Sequence, residues 1–255
     1  QYMRSFSSER RRRRLSGLQT DGRYTDSCQA SLHFFLAFLI LAGALTLFVL
    51  GHSKVYLLLT WPATCTLTIG VAYACDGNMG TTLLGKRTRT GSFRPLSMIF
   101  FLPYFLGYFI FWWVKHKILN ESICDEVWPG IWVGRYPLEL NIDDSRFSTN
   151  PVSHVVDLTG EFPALKFHRQ VAYLCCPSLD RLMADPGILA SAVAKVSSRA
   201  SCIYVHCANG HGRSALFAAI LMVWQGHCET LNQAKHIMRE KRNVINWQPR
   251  QQRVA

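Results

Sequence analysis

The stretch IYVHCANGHGRS, Ile203 to Ser214, sets one cysteine and one arginine six positions apart, with two glycines between them. An apolar run, 201–206, leads in and has the composition of a strand in the middle of a buried sheet. A second run, 213–225, leads out with helical character. A strand, a glycine-containing turn and a helix N-terminus together make an anion site, because backbone N–H groups converge there and the helix dipole favours negative charge. The thiol of Cys207, at the start of such a loop, is placed to act as a nucleophile toward an anion held there. The guanidinium of Arg213, at the end, offers a planar fork that fits two phosphate oxygens. Gly210 and Gly212 let the backbone wrap closely with no Cβ in the way. Nucleophile, amide cradle and fork thus converge on one tetrahedral dianion.

The flanking sequence reads as an α/β domain from about residue 120 to 250. Residues 127–134 (VWPGIWVG) give two short strands around a Pro-Gly turn, 152–158 gives another strand and 171–175 a fourth. Residues 187–199 and 229–241 have helical spacing, the first opened by Asp185-Pro186 in N-cap and first-turn positions. Strands that alternate with helices predict a mostly parallel central sheet with helices on its faces.

The order His206-Cys207-x5-Arg213-Ser214 resembles the signature of the cysteine-dependent protein tyrosine phosphatases. Residues 127–138 (VWPGIWVGRYPL) and 152–161 (VSHVVDLTGE) look like the opening strand pair and the next strand and turn of the compact dual-specificity branch. The resemblance implies a cysteinyl-phosphate intermediate formed on Cys207. Arg213 would bind the phosphoryl oxygens, and Ala208, Asn209, Gly210, His211, Gly212 and Arg213 would supply the amide cradle. Ser214 would hydrogen-bond the departing thiolate, and His206 would order the loop from behind. It also implies an aspartate as general acid. Asp180, at the end of YLCCPSLD, stands 27 residues before Cys207; Asp185, 22 residues before it, is the rival, although Asp-Pro at a helix start is an ordinary cap.

The resemblance further implies phosphoprotein substrates (phosphotyrosine, phosphoserine, phosphothreonine), since the domain is too short for a loop that would deepen the pocket around a tyrosine ring. A phospholipid headgroup, such as a phosphoinositide or phosphatidylglycerophosphate, is the alternative. Ala208, Asn209 and His211 give it little electrostatic support, because lipid-acting relatives tend to carry Lys or Arg inside the loop. A catalytically silent phosphate-binding scaffold is a third reading. No cofactor or metal is implied. The adjacent Cys175-Cys176 reads either as two ordinary strand-end residues or as a partner able to trap an oxidised Cys207 as a disulfide.

The N-terminal half differs in kind. Residues 1–119 hold 14 Lys+Arg against 4 Asp+Glu, while residues 120–255 hold 14 against 12. The positive excess flanks apolar runs rather than stacking aromatics, which points to a membrane surface and away from nucleic acid. Residues 1–30 read as a basic disordered tail whose Arg10–Arg14 run would contact anionic lipid. The apolar run 33–50 and the charge-free run 55–75 each have about the length of a bilayer span and are separated by four residues, so a helical hairpin is predicted within a membrane region, 31–119. Basic residues before the first span and after the second place both ends on the cytoplasmic side. The run 96–114 carries nine aromatics with Pro103 and Gly107 among them, and reads as a kinked or interfacial segment rather than a third span. The catalytic domain would then be cytosolic, where nine scattered cysteines with no CxxC pair stay reduced.

Overall fold

In the computed structural model the described residues are 26–51, 53–75, 77–140, 147, 150–165, 171–184, 186–197 and 202–247; the Arg10–Arg14 run and Asp185 lie outside them. A five-stranded sheet forms from β1 (Cys124–Trp128), β2 (Ile131–Gly134), β3 (His154–Thr159), β4 (Ala172–Ser178) and β5 (Ile203–His206), in the order β1-β2-β5-β3-β4. Only the β1–β2 pair is antiparallel. Pro129-Gly130 closes that hairpin, with Gly130 at φ +78 and its N–H donating to Glu126 Oε1 at 2.8 Å. β5 is buried at all four positions, as a central strand covered on both faces must be, and this explains its unbroken apolar composition.

Helix α6 (Pro186–Ser197) buries Leu189, Ala192, Val193 and Val196; α7 (Arg213–Gln225) is buried from Arg213 to Met222; α8 (Leu231–Lys241) buries Ala234 and Met238. These helices and the sheet share one apolar core. The α/β fold with a mostly parallel sheet is as the strand–helix alternation predicts, with element ends displaced by at most three residues and the helix 213–225 unshifted.

The N-terminal half is helical: α1 (Ser27–Val49), α2 (Ser53–Cys75), α3 (Gly77–Leu84), α4 (Pro95–Phe100) and α5 (Leu102–Leu119). α1 and α2 pair as a hairpin, and both are long and apolar enough to cross a membrane. Asp26 caps α1 by accepting from the Cys28 and Gln29 N–H groups, each at 3.1 Å. Ala30, Ala37 and Ala44, seven apart, form its buried seam. Gly70 of α2 lies so close to α1 that a Cβ there would come within 2.9 Å of the Phe34 ring. Small residues at a helix contact let the backbones approach and gain dispersion, the packing that serves where lipid removes the hydrophobic drive. Phe35, Phe38, Leu45 and Leu58 point outward.

The aromatic run breaks at Phe101, between α4 and α5, with Pro103 in the first turn of α5. Gly107 does not interrupt α5, which continues to Leu119. The helix is two-faced: Phe111, Trp113 and Ile118 are exposed, while Trp112 packs with Tyr136, Phe162 and Ala208 at the C-terminal edge of the sheet.

The two halves also meet elsewhere. Leu179 and Leu182, just after β4, join a cluster with Ile69, Tyr73, Leu84 and Phe101. Lys86, in sequence one of the basic residues after the second span, turns inward instead. Its Nζ donates to Asp157 Oδ2 (2.7 Å), Thr159 O (2.7 Å) and Thr159 Oγ1 (2.9 Å), which uses all three ammonium protons. Burial alone would raise the Asp157 carboxyl, but the Lys86 and His206 charges and hydrogen bonds from Lys86 and Tyr173 outweigh it and hold it at about 2.

Candidate active site

The loop between β5 and α7 sits at the C-terminal ends of the parallel strands. Its carbonyls are held from outside. Ala208 O accepts from Trp112 Nε1 (2.7 Å) and Tyr136 N (3.1 Å), Gly210 O accepts from Arg242 Nε (3.0 Å), and His211 O accepts from Asn246 N (3.2 Å). With the carbonyls turned outward, the intervening N–H groups are left to the interior. Gly210 N donates to Cys207 Sγ at 3.2 Å. Gly210 has φ +73, and a Cβ there would meet the Gly134 carbonyl carbon at 2.6 Å, so both conformation and space require glycine. Gly212 precedes α7 with no side-chain cap, which leaves the first-turn donors of that helix free for an anion.

The structure brings Cys207, Arg213, Asp180 and Ser214 together. Ser214 Oγ lies 3.3 Å from Cys207 Sγ, both groups buried. Arg213 is clamped edge-on: Nη1 donates to Glu161 Oε2 (3.0 Å), Ser178 O (2.7 Å) and Leu158 O (3.3 Å), and Nη2 donates to Glu161 Oε1 and to Asp180 Oδ1 (3.1 Å). Nε makes no hydrogen bond among the described residues. Burial would discourage the charge, but the Glu161 and Asp180 carboxylates outweigh it and keep the guanidinium protonated. Asp180 keeps its side chain 29% exposed, so one carboxylate oxygen can reach a ligand while the other holds Arg213. His206 stacks on Tyr204 and is fully enclosed; burial first, with the Lys86 and Arg213 charges, lowers it to about 4, so it is neutral at pH 7. Asn209 and His211 sit at the rim, where Lys115 Nζ donates to Asn209 Oδ1 (3.3 Å) and His211 Nε2 pairs with Glu121 Oε2 (2.7 Å).

Three contributors were not singled out by sequence reasoning. Glu161 stands inside the quoted block VSHVVDLTGE, but nothing in one glutamate after a strand says that it will grip an arginine 52 residues away. Arg242 reaches the loop from beyond α8. Trp112 reaches it from the aromatic run; only its position on the face opposite Phe111 and Trp113 could have hinted at a separate task. Cys175 and Cys176 are buried on β4, and desolvation pushes each thiol up to about 12. Tyr73, Tyr104 and Tyr108, from α2 and α5, border the same place. Tyr73 OH donates to Asp180 O at 3.3 Å, and Tyr104 and Tyr108 lie close enough to Glu161, Asp180 and Arg213 to feel their charges.

No family model matches the chain, and no curated protein matches it. Solved structures do. Tk-PTP in the active form is 19% identical with a TM-score of 0.45, covering 52% of this chain and 93% of that one. The human tyrosine phosphatase-like serine/threonine/tyrosine-interacting protein is 17% identical at TM-score 0.43, covering 51% and 92%. PTPMT1 in complex with PI(5)P is 21% identical at TM-score 0.45, covering 52% and 92%. At these identities the likeness is one of fold: over about half its length the chain is similar to tyrosine-phosphatase-like and dual-specificity phosphatase structures.

Proposed function

We propose that the chain is a membrane-anchored phosphoric monoester hydrolase working through a cysteinyl-phosphate. The observation that carries this is the single focus shared by Cys207 Sγ, the Gly210 N–H at 3.2 Å and the Asp180-linked Arg213. Cys207 thiolate attacks phosphorus; the S–P bond forms as the P–O bond to the leaving group breaks. Asp180 gives that oxygen its proton. Arg213 and the loop amides hold the three remaining oxygens, whose charge is greatest in the transition state. Water then attacks phosphorus, Asp180 takes its proton, and phosphate departs as the S–P electrons return to sulfur, where Ser214 Oγ, 3.3 Å away, hydrogen-bonds the thiolate.

The substrate we favour is a lipid-borne phosphate monoester. Phosphoprotein, the expectation from domain length, would need a protein segment to reach a site bordered by Tyr73, Tyr104 and Tyr108 on helices whose other faces are apolar. An amphiphile in the plane of the bilayer meets that border directly. The full chain in detergent micelles should hydrolyse a small aryl phosphate, with no turnover for Cys207→Ser and about 10²–10⁴-fold less for Asp180→Asn. In vesicles, a lipid phosphate monoester should exceed a phosphopeptide in kcat/KM. Equal or better phosphopeptide turnover would return the protein reading, and an active Cys207→Ser enzyme would remove the mechanism.

A further inference from the structure

Beside the phosphate loop, on the side of β2, three nitrogen-bearing side chains come together. Lys115 and His116 lie in the last turn of α5, and Arg135 directly follows β2. His116 is 7% exposed; among the described residues its ring nitrogens approach only the Asn209 side chain, without the geometry of a full hydrogen bond. Arg135 is also 7% exposed; its Nη2 donates to Glu139 Oε2 at 3.1 Å, while Nη1 is buried and has no partner among the described residues. Buried polar atoms almost always find a partner, so these two side chains ask for an acceptor beyond the described residues, which a bound anion would supply. Burial first, then the Arg135 and Lys115 charges, lower His116 to about 4. The ring is therefore neutral and can donate from one nitrogen.

Among the described residues, the acidic groups nearby do not satisfy this cluster. Glu139 serves Arg135 Nη2 and Lys117 Nζ, the latter at 3.2 Å, and its side chain is 43% exposed. Glu121 is taken by His211. Among the described residues Lys115 binds only the neutral oxygen of Asn209, at 3.3 Å. Asn209 belongs to the loop that would hold the scissile phosphate, so the cluster borders that loop. A guanidinium edge, an ammonium and an imidazole N–H suit a tetrahedral oxyanion.

We propose that Lys115, His116 and Arg135 form a second phosphate-oxyanion site, which takes a further phosphate of the substrate joined to the scissile monoester by a short polyol spacer. This rests on the proposed phosphatase reading and specifies its substrate. The Lys and Arg that loop residues 208–212 lack are supplied from α5 and the end of β2. The second phosphate could be another monoester on the headgroup or the phosphodiester that ties a headgroup to its glycerolipid. A lipid phosphate with no second phosphate gains nothing from the site.

The test uses calorimetric binding to the full chain carrying Cys207→Ser in detergent micelles, so that no turnover is needed. Three probes are compared: propyl phosphate, propane-1,3-diol bisphosphate, and propane-1,3-diol bearing one phosphate monoester and one methyl phosphodiester. The expected result is that one or both double anions bind about tenfold or more tightly than propyl phosphate. Arg135→Gln and Lys115→Gln should each collapse that ratio, while Arg239→Gln, a remote change of the same charge on exposed α8, should leave it. An advantage for the bisphosphate alone assigns the site to a second monoester; an advantage for the mixed probe assigns it to the diester. Equal binding of all three probes overturns the proposal. So does a ratio lowered equally by Arg239→Gln, which would reduce it to general attraction between charges. Failure of the phosphatase reading itself would show separately, as absent aryl phosphate turnover by the enzyme with Cys207 intact.

Discussion

Lys86 and Arg213 are both buried cations held by carboxylates, yet they are built for different ends. Lys86 spends all three protons on Asp157 and Thr159 and has nothing left to offer. Arg213 spends its Nη edge on Glu161, Asp180 and two carbonyls, and its Nε donor is free of protein partners among the described residues. The saturated pair joins two parts of the chain; the unsaturated one is poised toward a guest. A cation's leftover valence separates structural from functional burial better than its depth does, since both side chains are almost wholly enclosed.

This contrast can be broken at either end. Lys86→Met should cost about 3–5 kcal/mol, because it strands the Asp157 carboxylate in the interior. The shift in denaturation midpoint in micelles reads it, and Lys86→Met with Asp157→Leu together should recover much of the loss. Folded Lys86→Met enzyme should keep most of its aryl phosphate turnover; if it does not, the separation of roles fails. Arg213→Lys should do the reverse, lowering kcat/KM by roughly 10³-fold, as the planar fork is replaced by a point charge, with a smaller change in midpoint. Glu161→Gln should weaken the grip on Arg213 and cost about 10²-fold in kcat, since small misplacements of a binding group are that expensive; an unaffected rate would make Glu161 a bystander.

A further test lies in pH. His206 and His116 are both near 4 in the folded protein against an ordinary value near 6.5, so the unfolded chain binds more protons between those limits. Their contribution to stability is whole above about pH 6.5 and is lost as pH falls toward 4. Asp157, held at about 2, loses its contribution only below about pH 4. Urea midpoints should therefore decline in two stages on acidification, and His206→Gln should flatten the first. A midpoint unchanged between pH 7 and 5 would contradict the burial of neutral imidazoles.

Much of this architecture is legible in sequence where one local pattern is enough. The turn between β5 and α7 declares itself through the apolar run, two glycines and the spacing of Cys207 from Arg213, because strand, loop and helix are contiguous. The α1–α2 hairpin declares itself through length and absence of charge. What stays hidden depends on partners far away in the chain. Lys86 reads as one more basic residue after a span, since its acceptors lie 71 and 73 residues later. Glu161 and Arg213 have no periodic relation. The aromatic run 96–114 shows its membrane-suited composition but not its second face, because Trp112 differs from Trp113 only in what the fold sets against it. The loop chemistry of Asn209 looks weak for polyanions until α5 brings Lys115 alongside.

The indole of Trp112 has one consequence of its own. Ala208 O, one residue past Cys207, takes one of its two hydrogen bonds from a residue that precedes β1. Cutting the polypeptide near residue 120 would hand that bond to water, along with the Lys115 and Lys86 contacts. Measurements on such a trimmed piece would describe a looser Cys207 loop than that of the intact polypeptide.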